Sequence, residues 1–324
     1  MQTVTLGPLA NVSRLTLGGG GLGQLWGESS LDEAVATVHA AVEAGITLID
    51  TAPMYRDCEQ VIGDAFQGAL PAGVRVTTKC QLGEPERGTV AARLEASLDA
   101  SLETMRLSHA DIFFLHSNIR PDVYTYARHD DRRATFATPW TQYVEEVVPA
   151  MEALKAQGRI GAWGITGVGV PGTILKALAQ DQKPDTVQAV ANLLDSPGGM
   201  RSYAEPPQPR AVIAAAKAQG VGVLGIRAVQ AGALTTALDR PMKDSHPEAA
   251  DYRRAAPFRA LCAELGVNPA VMAHRYALSM AGVDTVILGV KNRAELAACL
   301  AAEAAGLLPV NLRAQIDGLR LADA

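Results

Sequence analysis

The sequence predicts a (β/α)8 barrel, and three observations lead to it. Short apolar runs of strand composition alternate with alanine-rich segments whose apolar residues recur at i, i+3 and i+4. These runs form eight strand–helix units. The strands are apolar throughout rather than alternating, as in parallel sheets that are covered on both faces. The predicted strands are 14–18, 46–50, 74–80, 111–116, 160–166, 186–190, 221–226 and 284–288. The predicted helices are about 31–44, 58–68, 89–106, 141–157, 171–180, 209–219, 256–280 in two pieces, and 292–304.

Local signals support the individual elements. Ser30 and Glu33 form an S-x-x-E capping box before the first helix, and Gly45 closes that helix. Two polar segments interrupt the rhythm after the fourth and seventh strands, at about 117–140 and 235–255. Both follow the carboxyl ends of strands, where barrel enzymes build their sites. We therefore predict one barrel domain over the whole chain, with these two long loops and a C-terminal helix.

The composition argues against several classes of function. The formal charge of −5 leaves no basic footprint for nucleic acid or for an anionic membrane. No apolar run approaches the ~20 residues that a membrane-spanning helix needs. Four widely spaced cysteines form no CxxC pair, so we expect no metal site, reduced thiols and a cytoplasmic location. The expected partner is a small molecule, and the surface pattern leaves monomer and homo-oligomer open.

The glycine-rich stretch LGGGGLGQLWG matches the dinucleotide fingerprint G-x-G-x-x-G at Gly18, Gly20 and Gly23. In that fingerprint the last glycine lies inside the first turn of a helix. Here residues 24–29 intervene before the helix signal begins at Ser30. We therefore expect these glycines to permit a tight turn and a close backbone approach at the mouth of the barrel.

Four polar residues follow the ends of consecutive predicted strands. Asp50 ends the second strand, Tyr55 lies in the loop after it, Lys79 ends the third strand and His116 ends the fourth. Parallel neighbouring strands bring all four to one mouth of the barrel. An ammonium near a phenol favours the phenolate and lowers the phenol pKa, while a carboxylate keeps a buried lysine charged. The set suits carbonyl reduction or alcohol oxidation if a cofactor supplies or accepts hydride.

At these residues the sequence resembles the aldo-keto reductases. The stretches GITLIDTAPMY, VTTKC, SLDASLETMRLSHADIFFLHS and GVNPAVMAHRYAL carry the resemblance, which covers nearly the whole chain. The resemblance implies a (β/α)8 barrel that binds an extended nicotinamide cofactor. It also implies that Tyr55 is the proton donor, that Asp50 and Lys79 tune it, and that His116 orients the substrate.

The same resemblance suggests where the cofactor binds. Thr166 stands where the family has the serine of a Ser-Asn pair, and Gln188 matches the family glutamine that holds the nicotinamide amide. Ile226 stands at the place of the stacking aromatic residue, and Arg227 beside it is a candidate for the pyrophosphate. The other candidates lie in the loop after the seventh strand and in the segment after the eighth: Gly232, Leu234, Gly289, Lys291, Asn292, Arg293 and Glu295.

The segment after the eighth strand bears on the choice of cofactor. Lys291 and Arg293 are able to read a 2′-phosphate at a helix N-terminus, whereas Glu295 repels a phosphate and accepts hydrogen bonds from a free ribose hydroxyl. Lys291, Arg293 and the family resemblance favour NADP(H) over NAD(H), with NAD(H) left open because of Glu295. Trp26 and Trp140 are the candidate walls of the substrate pocket.

Two other functions remain open for the same barrel. A Schiff-base aldolase or lyase would use Lys79 as its nucleophile and would need an uncharged lysine, against which Asp50 argues. A cofactor-binding regulatory module would bind the nucleotide without turnover, and the complete set of four polar residues argues against it.

Overall fold

The structure is a computed structural model that describes residues 1–27, 29–238 and 240–322. Eight parallel strands close into a barrel in the order β3, β4, β5, β6, β9, β10, β11 and β12, so the predicted (β/α)8 fold is confirmed. In the described part of the chain the strands are β1 (Thr3–Leu6), β2 (Leu9–Ser13), β3 (Leu15–Gly18), β4 (Leu48–Asp50), β5 (Arg75–Cys80), β6 (Ala110–Leu115), β7 (Asn118–Arg120), β8 (Ala137–Pro139), β9 (Ile160–Thr166), β10 (Thr186–Val190), β11 (Gly222–Ile226) and β12 (Thr285–Leu288).

The helices surround the barrel and bury one apolar face each against the strands. The helix that starts at Leu31 shows the predicted cap, because the Ser30 side chain accepts a hydrogen bond from the Glu33 N–H at 3.1 Å. The longer helices are Leu31–Glu43, Cys58–Phe66, Val90–Met105, Val148–Ala156, Pro171–Leu178, Pro209–Ala218, Pro247–Arg254, Ala256–Glu264, Pro269–Ser279, Arg293–Ala304 and Val310–Asp317. Among the described residues, no helix combines the length and apolar character that crossing a bilayer requires.

An antiparallel hairpin of β1 and β2, which was not predicted from the sequence, precedes the barrel. Leu6 and Val12 of this hairpin are buried in one cluster with barrel residues such as Leu48, Phe114 and Leu224. Its turn also approaches β11 closely, because a Cβ at Gly222 would lie 2.5 Å from the Gly7 nitrogen. The hairpin therefore packs against the barrel core and leaves the opposite, carboxyl ends of the strands available for a site.

The two predicted loops contain secondary structure of their own. The segment 117–140 holds the short parallel pair β7 and β8, in which Asn118 aligns with Ala137. The segment 235–255 contains the helix Pro247–Arg254, where a loop was expected, and His246 caps that helix. Asp239 of this second segment lies outside the described residues.

Candidate active site

The barrel brings the four predicted polar residues together at the carboxyl ends of β4, β5 and β6. Asp50 is the last residue of β4, and Lys79 is the penultimate residue of β5. His116 follows β6 directly, and its N–H donates to the Cys80 carbonyl at 2.8 Å. Tyr55 ends a short 3-10 helix that starts at Pro53, immediately after β4. Strand register alone therefore determines three of the four positions.

A buried ion pair forms the floor of this group. The Lys79 ammonium donates to Asp50 Oδ2 at 2.7 Å and to the Thr51 carbonyl at 2.8 Å. Asp50 Oδ1 accepts from Thr77 Oγ1 at 2.8 Å and from Gln188 Nε2 at 2.6 Å. Burial opposes the charge on Lys79, but Asp50 and Tyr55 outweigh it, so the pKa of Lys79 lies above its ordinary value. Lys79 is therefore an ammonium at neutral pH, held by its hydrogen bonds to Asp50 and Thr51.

Tyr55 lies above this ion pair. The Lys79 Nζ is 4.6 Å from the centroid of the Tyr55 ring. Burial raises the pKa of Tyr55, while the Lys79 charge opposes that rise and the Asp50 carboxylate adds to it. The prediction that the pKa of Tyr55 is lowered was wrong in its net direction, because desolvation outweighs the ammonium. Tyr55 is consequently a neutral phenol, the form that donates a proton.

His116 faces the same space as Tyr55. The two rings meet edge to face, with centroids 5.8 Å apart and an interplanar angle of 88°. Burial, together with the positive charge of Lys79, lowers the pKa of His116 to about 3. Its Nδ1 is buried and has no hydrogen-bond partner among the described residues. His116 is therefore a neutral imidazole with hydrogen-bonding capacity to spare.

A cleft of about 790 Å³ opens above Asp50, Tyr55 and His116, a volume in the range of small-molecule sites. Most of the predicted cofactor and substrate residues line it, namely Trp26, Thr166, Gln188, Ile226, Arg227, Gly232, Gly289, Lys291 and Glu295. Leu234, Asn292 and Arg293 are not part of the lining. Asn292 instead caps the helix Arg293–Ala304 by accepting from the Glu295 N–H at 2.9 Å.

Trp140 also lies outside the lining of the cleft. Its ring packs against Tyr143 at 5.6 Å, and the Lys176 ammonium lies 4.0 Å above it. Several residues that line the cleft were not predicted from the sequence, among them Gln81, Asn118, Phe136, Met200 and Ser202. Position was the available signal for two of them, since Gln81 follows β5 directly and Asn118 begins β7 just after His116.

The walls of the cleft suit a nicotinamide cofactor. Thr166 and Gln188 are aligned neighbours on β9 and β10, and both are buried. Thr166 lines the cleft, and its Oγ1 has no hydrogen-bond partner among the described residues. Because an unpaired buried hydroxyl is costly, it is a place where a ligand is expected to bind. A carboxamide has the donors and the acceptor that this hydroxyl and the Gln188 amide complement.

The three cations expected to bind phosphate each contact a carboxylate. Lys291 Nζ lies 3.3 Å from Glu295 Oε1. Arg227 donates to Glu248 Oε1 at 2.7 Å and to Gln230 Oε1 at 2.8 Å.

Arg293 donates to both carboxylate oxygens of Glu33, with one contact at 2.8 Å, and its backbone N–H donates to the same carboxylate at 2.9 Å. These hydrogen bonds lower the pKa of Glu33 to about 2. The positive charge expected at the phosphate positions is therefore largely neutralised within the protein.

Comparisons with known proteins agree with this geometry. A family model described as the aldo/keto reductase family matches residues 14–320. L-galactose dehydrogenase of Arabidopsis thaliana is 27% identical over 300 residues, which cover 90% of this chain and 86% of the relative. NADH-specific methylglyoxal reductase of Escherichia coli is 26% identical over 217 residues, 60% of each chain. The structure of an aldo/keto reductase from Klebsiella pneumoniae in complex with NADP and acetate has a TM-score of 0.68 at 20% identity and covers 98% of this chain and 95% of that one.

Proposed function

The chain belongs to the aldo/keto reductase family, and on that premise we propose that it interconverts a carbonyl group and an alcohol with Tyr55 as the proton donor. Membership of the family makes it an NAD(P)(H)-dependent oxidoreductase. The observation that carries the assignment of Tyr55 is the buried Lys79–Asp50 pair directly below its ring.

Each of the four residues has a distinct role in this proposal. Tyr55 gives its proton to the oxygen of the carbonyl as the alcohol forms, and the Lys79 ammonium stabilises the resulting phenolate. Asp50 keeps Lys79 charged and in place. The neutral imidazole of His116 donates a hydrogen bond to the substrate oxygen and so orients it. In the oxidation direction the same groups act in reverse.

The cofactor, when bound, supplies or accepts the hydride. Thr166 and Gln188 would hold its carboxamide, and Ile226 would cover the nicotinamide ring by apolar contact. Gln188 has two amide hydrogens, so it is able to donate both to Asp50 and to a ligand.

For the cofactor, the contacts of the cations favour NAD(H) over the NADP(H) that the sequence analysis preferred. A 2′-phosphate beside Lys291 and Arg293 would also face the carboxylates of Glu295 and Glu33, which already contact them. A free ribose hydroxyl, by contrast, is able to donate a hydrogen bond to Glu295. A relative of this chain is NADH-specific by name, whereas a structural neighbour holds NADP.

For the substrate, the lining of the cleft favours a polyhydroxylated compound such as an aldose. Amide and hydroxyl groups of Gln81, Asn118 and Ser202 accompany the apolar walls of Trp26 and Phe136. Such a mixture provides hydrogen bonds for hydroxyl groups and flat apolar surface for the C–H faces of a sugar. The similarity to L-galactose dehydrogenase, which extends over 90% of this chain, supports the same class.

The charge state of Lys79 argues against the aldolase alternative. A Schiff-base lysine must be uncharged to attack. The pKa of Lys79 is raised instead, because Asp50 and Tyr55 outweigh the opposing effect of burial. A regulatory module without turnover has no specific feature in its favour. A cytoplasmic location remains a prediction from the cysteines, which are all free.

The proposal is tested by initial rates with a panel of aldoses and aldehydes, using NAD(H) and NADP(H), for the wild type and Tyr55→Phe. We expect the substitution to lower kcat by about 10²–10⁴-fold while cofactor affinity is retained, because only proton transfer is lost. Tyr143→Phe is the matched control, since Tyr143 is buried outside the cleft and its hydroxyl has no hydrogen-bond partner in the part of the chain that the structure describes. Full activity of Tyr55→Phe would exclude the proposed role.

A further inference from the structure

The glycine-rich stretch that matches a dinucleotide fingerprint lies between two segments. One is the loop that carries Tyr55, and the other is the segment after β12, which lines the cofactor cleft. Residues 19–24 form one tight turn directly after β3, in which the Gly23 N–H donates to the Gly19 carbonyl at 2.8 Å and the Gln24 N–H to the Gly21 carbonyl at 3.0 Å. On one side, a Cβ at Gly23 would overlap the Tyr55 carbonyl oxygen and lie 2.8 Å from the carbonyl carbon and 3.2 Å from the Cys58 nitrogen. Backbone atoms of the Tyr55 loop thus fill the space that any side chain at Gly23 would need.

The opposite side of the same turn is equally close to the segment after β12. A Cβ at Gly21 would overlap the Val290 carbonyl oxygen and lie 2.6 Å from its carbon and 3.1 Å from the Lys291 nitrogen. Both neighbours are backbone rather than flexible side chains, so neither is able to move aside cheaply. The turn therefore contacts the proton donor through Gly23 and the cofactor segment through Gly21.

Side-chain hydrogen bonds join the turn to the Tyr55 loop as well. Arg56 Nη1 donates to the Gln24 carbonyl at 3.1 Å. Gln24 Nε2 approaches Asp57 Oδ2 at 3.4 Å. Arg56 is itself held with a φ of 51°, a conformation that few residues other than glycine adopt. The segment around Tyr55 thus contacts this turn through side-chain hydrogen bonds as well as through its backbone.

We propose that Gly23 is a positioning residue for Tyr55, and this inference rests on the proposed function. Gly23 acts as a spacer between the proton donor and the barrel. Tyr55 is joined to the barrel by a short 3-10 helix, so a displaced carbonyl moves the phenol relative to Lys79 and His116. A misplacement of about 1 Å in a reacting group is able to cost about 10²-fold in rate. The absence of a side chain at Gly23 is what permits the close approach.

The experiment compares three Gly→Ala variants in kcat and in the affinity for NADH, with affinity measured by fluorescence titration without turnover. We expect Gly23→Ala to lower kcat by about 10²-fold and to keep the cofactor Kd within a few-fold. We expect Gly21→Ala to raise the cofactor Kd by about tenfold and to keep kcat at saturating cofactor, because it displaces Lys291 instead. Gly172→Ala is the control, since its Cβ would meet nothing within 4 Å and Gly172 lies in the helix Pro171–Leu178.

Two results overturn the inference. One is an unchanged kcat in Gly23→Ala, and the other is a parallel loss of kcat and cofactor affinity in both variants, which indicates general destabilisation. Where Gly23→Ala does not fold, Arg56→Met decides, because Arg56 is exposed and, within the described ranges, its guanidinium hydrogen-bonds to the Gln24 carbonyl alone. It is expected to lower kcat several-fold at constant Kd, and an unchanged kcat contradicts the proposal.

The same assay separates this inference from the function on which it rests. An inactive Tyr55→Phe together with a fully active Gly23→Ala removes the role of Gly23 alone. A fully active Tyr55→Phe removes the proposed function itself.

Discussion

The unusual state of His116 makes the stability of the protein depend on pH in a way that a single substitution is able to isolate. Burial and then the Lys79 charge lower the pKa of His116 from 6.5 to about 3. Below pH 6.5 the His116 imidazole is therefore protonated in the unfolded chain but stays neutral in the folded protein until the pH approaches about 3. The contribution of His116 to stability is present in full above pH 6.5 and is lost as the pH falls towards about 3.

The size of this effect follows from the shift. Each pH unit between these two values costs about 1.4 kcal/mol of unfolding free energy, so a fall of two units below pH 6.5 costs about 3 kcal/mol. His116→Asn removes the titrating group and keeps a polar side chain. The wild type is therefore expected to lose about 3 kcal/mol more than this variant when the pH falls by about two units below 6.5.

Urea denaturation at several pH values between 7 and 4.5 measures this difference. Carboxylates titrate in the same range, but they are common to both proteins, so their contributions cancel in the comparison. His129→Asn is the matched control, because His129 is exposed and has a φ of 63°, which asparagine tolerates. Identical pH dependence in the wild type and His116→Asn would refute the reasoning.

Three further predictions concern other parts of the cleft. Asp50→Asn leaves the Lys79 charge buried without a carboxylate and is expected to lower the unfolding free energy by about 3–5 kcal/mol in urea denaturation. A loss below about 1 kcal/mol would show that Lys79 does not depend on Asp50 for its charge. The double variant Glu33→Gln, Glu295→Gln is expected to shift the ratio of NADPH to NADH affinity by about tenfold towards NADPH, and an unchanged ratio in fluorescence titrations would reject the proposed neutralisation. Asn118→Ala is expected to raise KM for an aldose several-fold with little change in KM for a simple aliphatic aldehyde, and equal effects on both would reject a hydrogen bond to sugar hydroxyls.

The sequence by itself determined the eight strand–helix units and the position of the chemistry. Helical periodicity and the Ser30 cap depend on residues within one or two turns of each other, so they are readable without tertiary structure. The placement of Asp50, Lys79 and His116 follows from the rule that parallel neighbouring strands end at one mouth of a barrel. The hairpin and the helix Pro247–Arg254 do not follow the βα rhythm, so neither was predicted from the sequence.

Only the tertiary structure decided the electrostatics of the site. Glu33 and Arg293 are 260 residues apart in the chain, and Gln188 and Asp50 are 138 apart, so no local pattern announces either contact. Likewise the net pKa of Tyr55 is set by desolvation, which depends on everything packed around the ring rather than on Lys79 alone.

The role of the glycine-rich stretch shows the same division. Its composition predicted a close backbone approach, because glycine is the residue that permits one. Which backbone approaches was decided by folding, which brings Tyr55 and Val290 to opposite sides of one turn. Local sequence thus determines which conformations a segment is able to adopt, and packing between distant segments determines the contacts, charges and cavities on which the function depends.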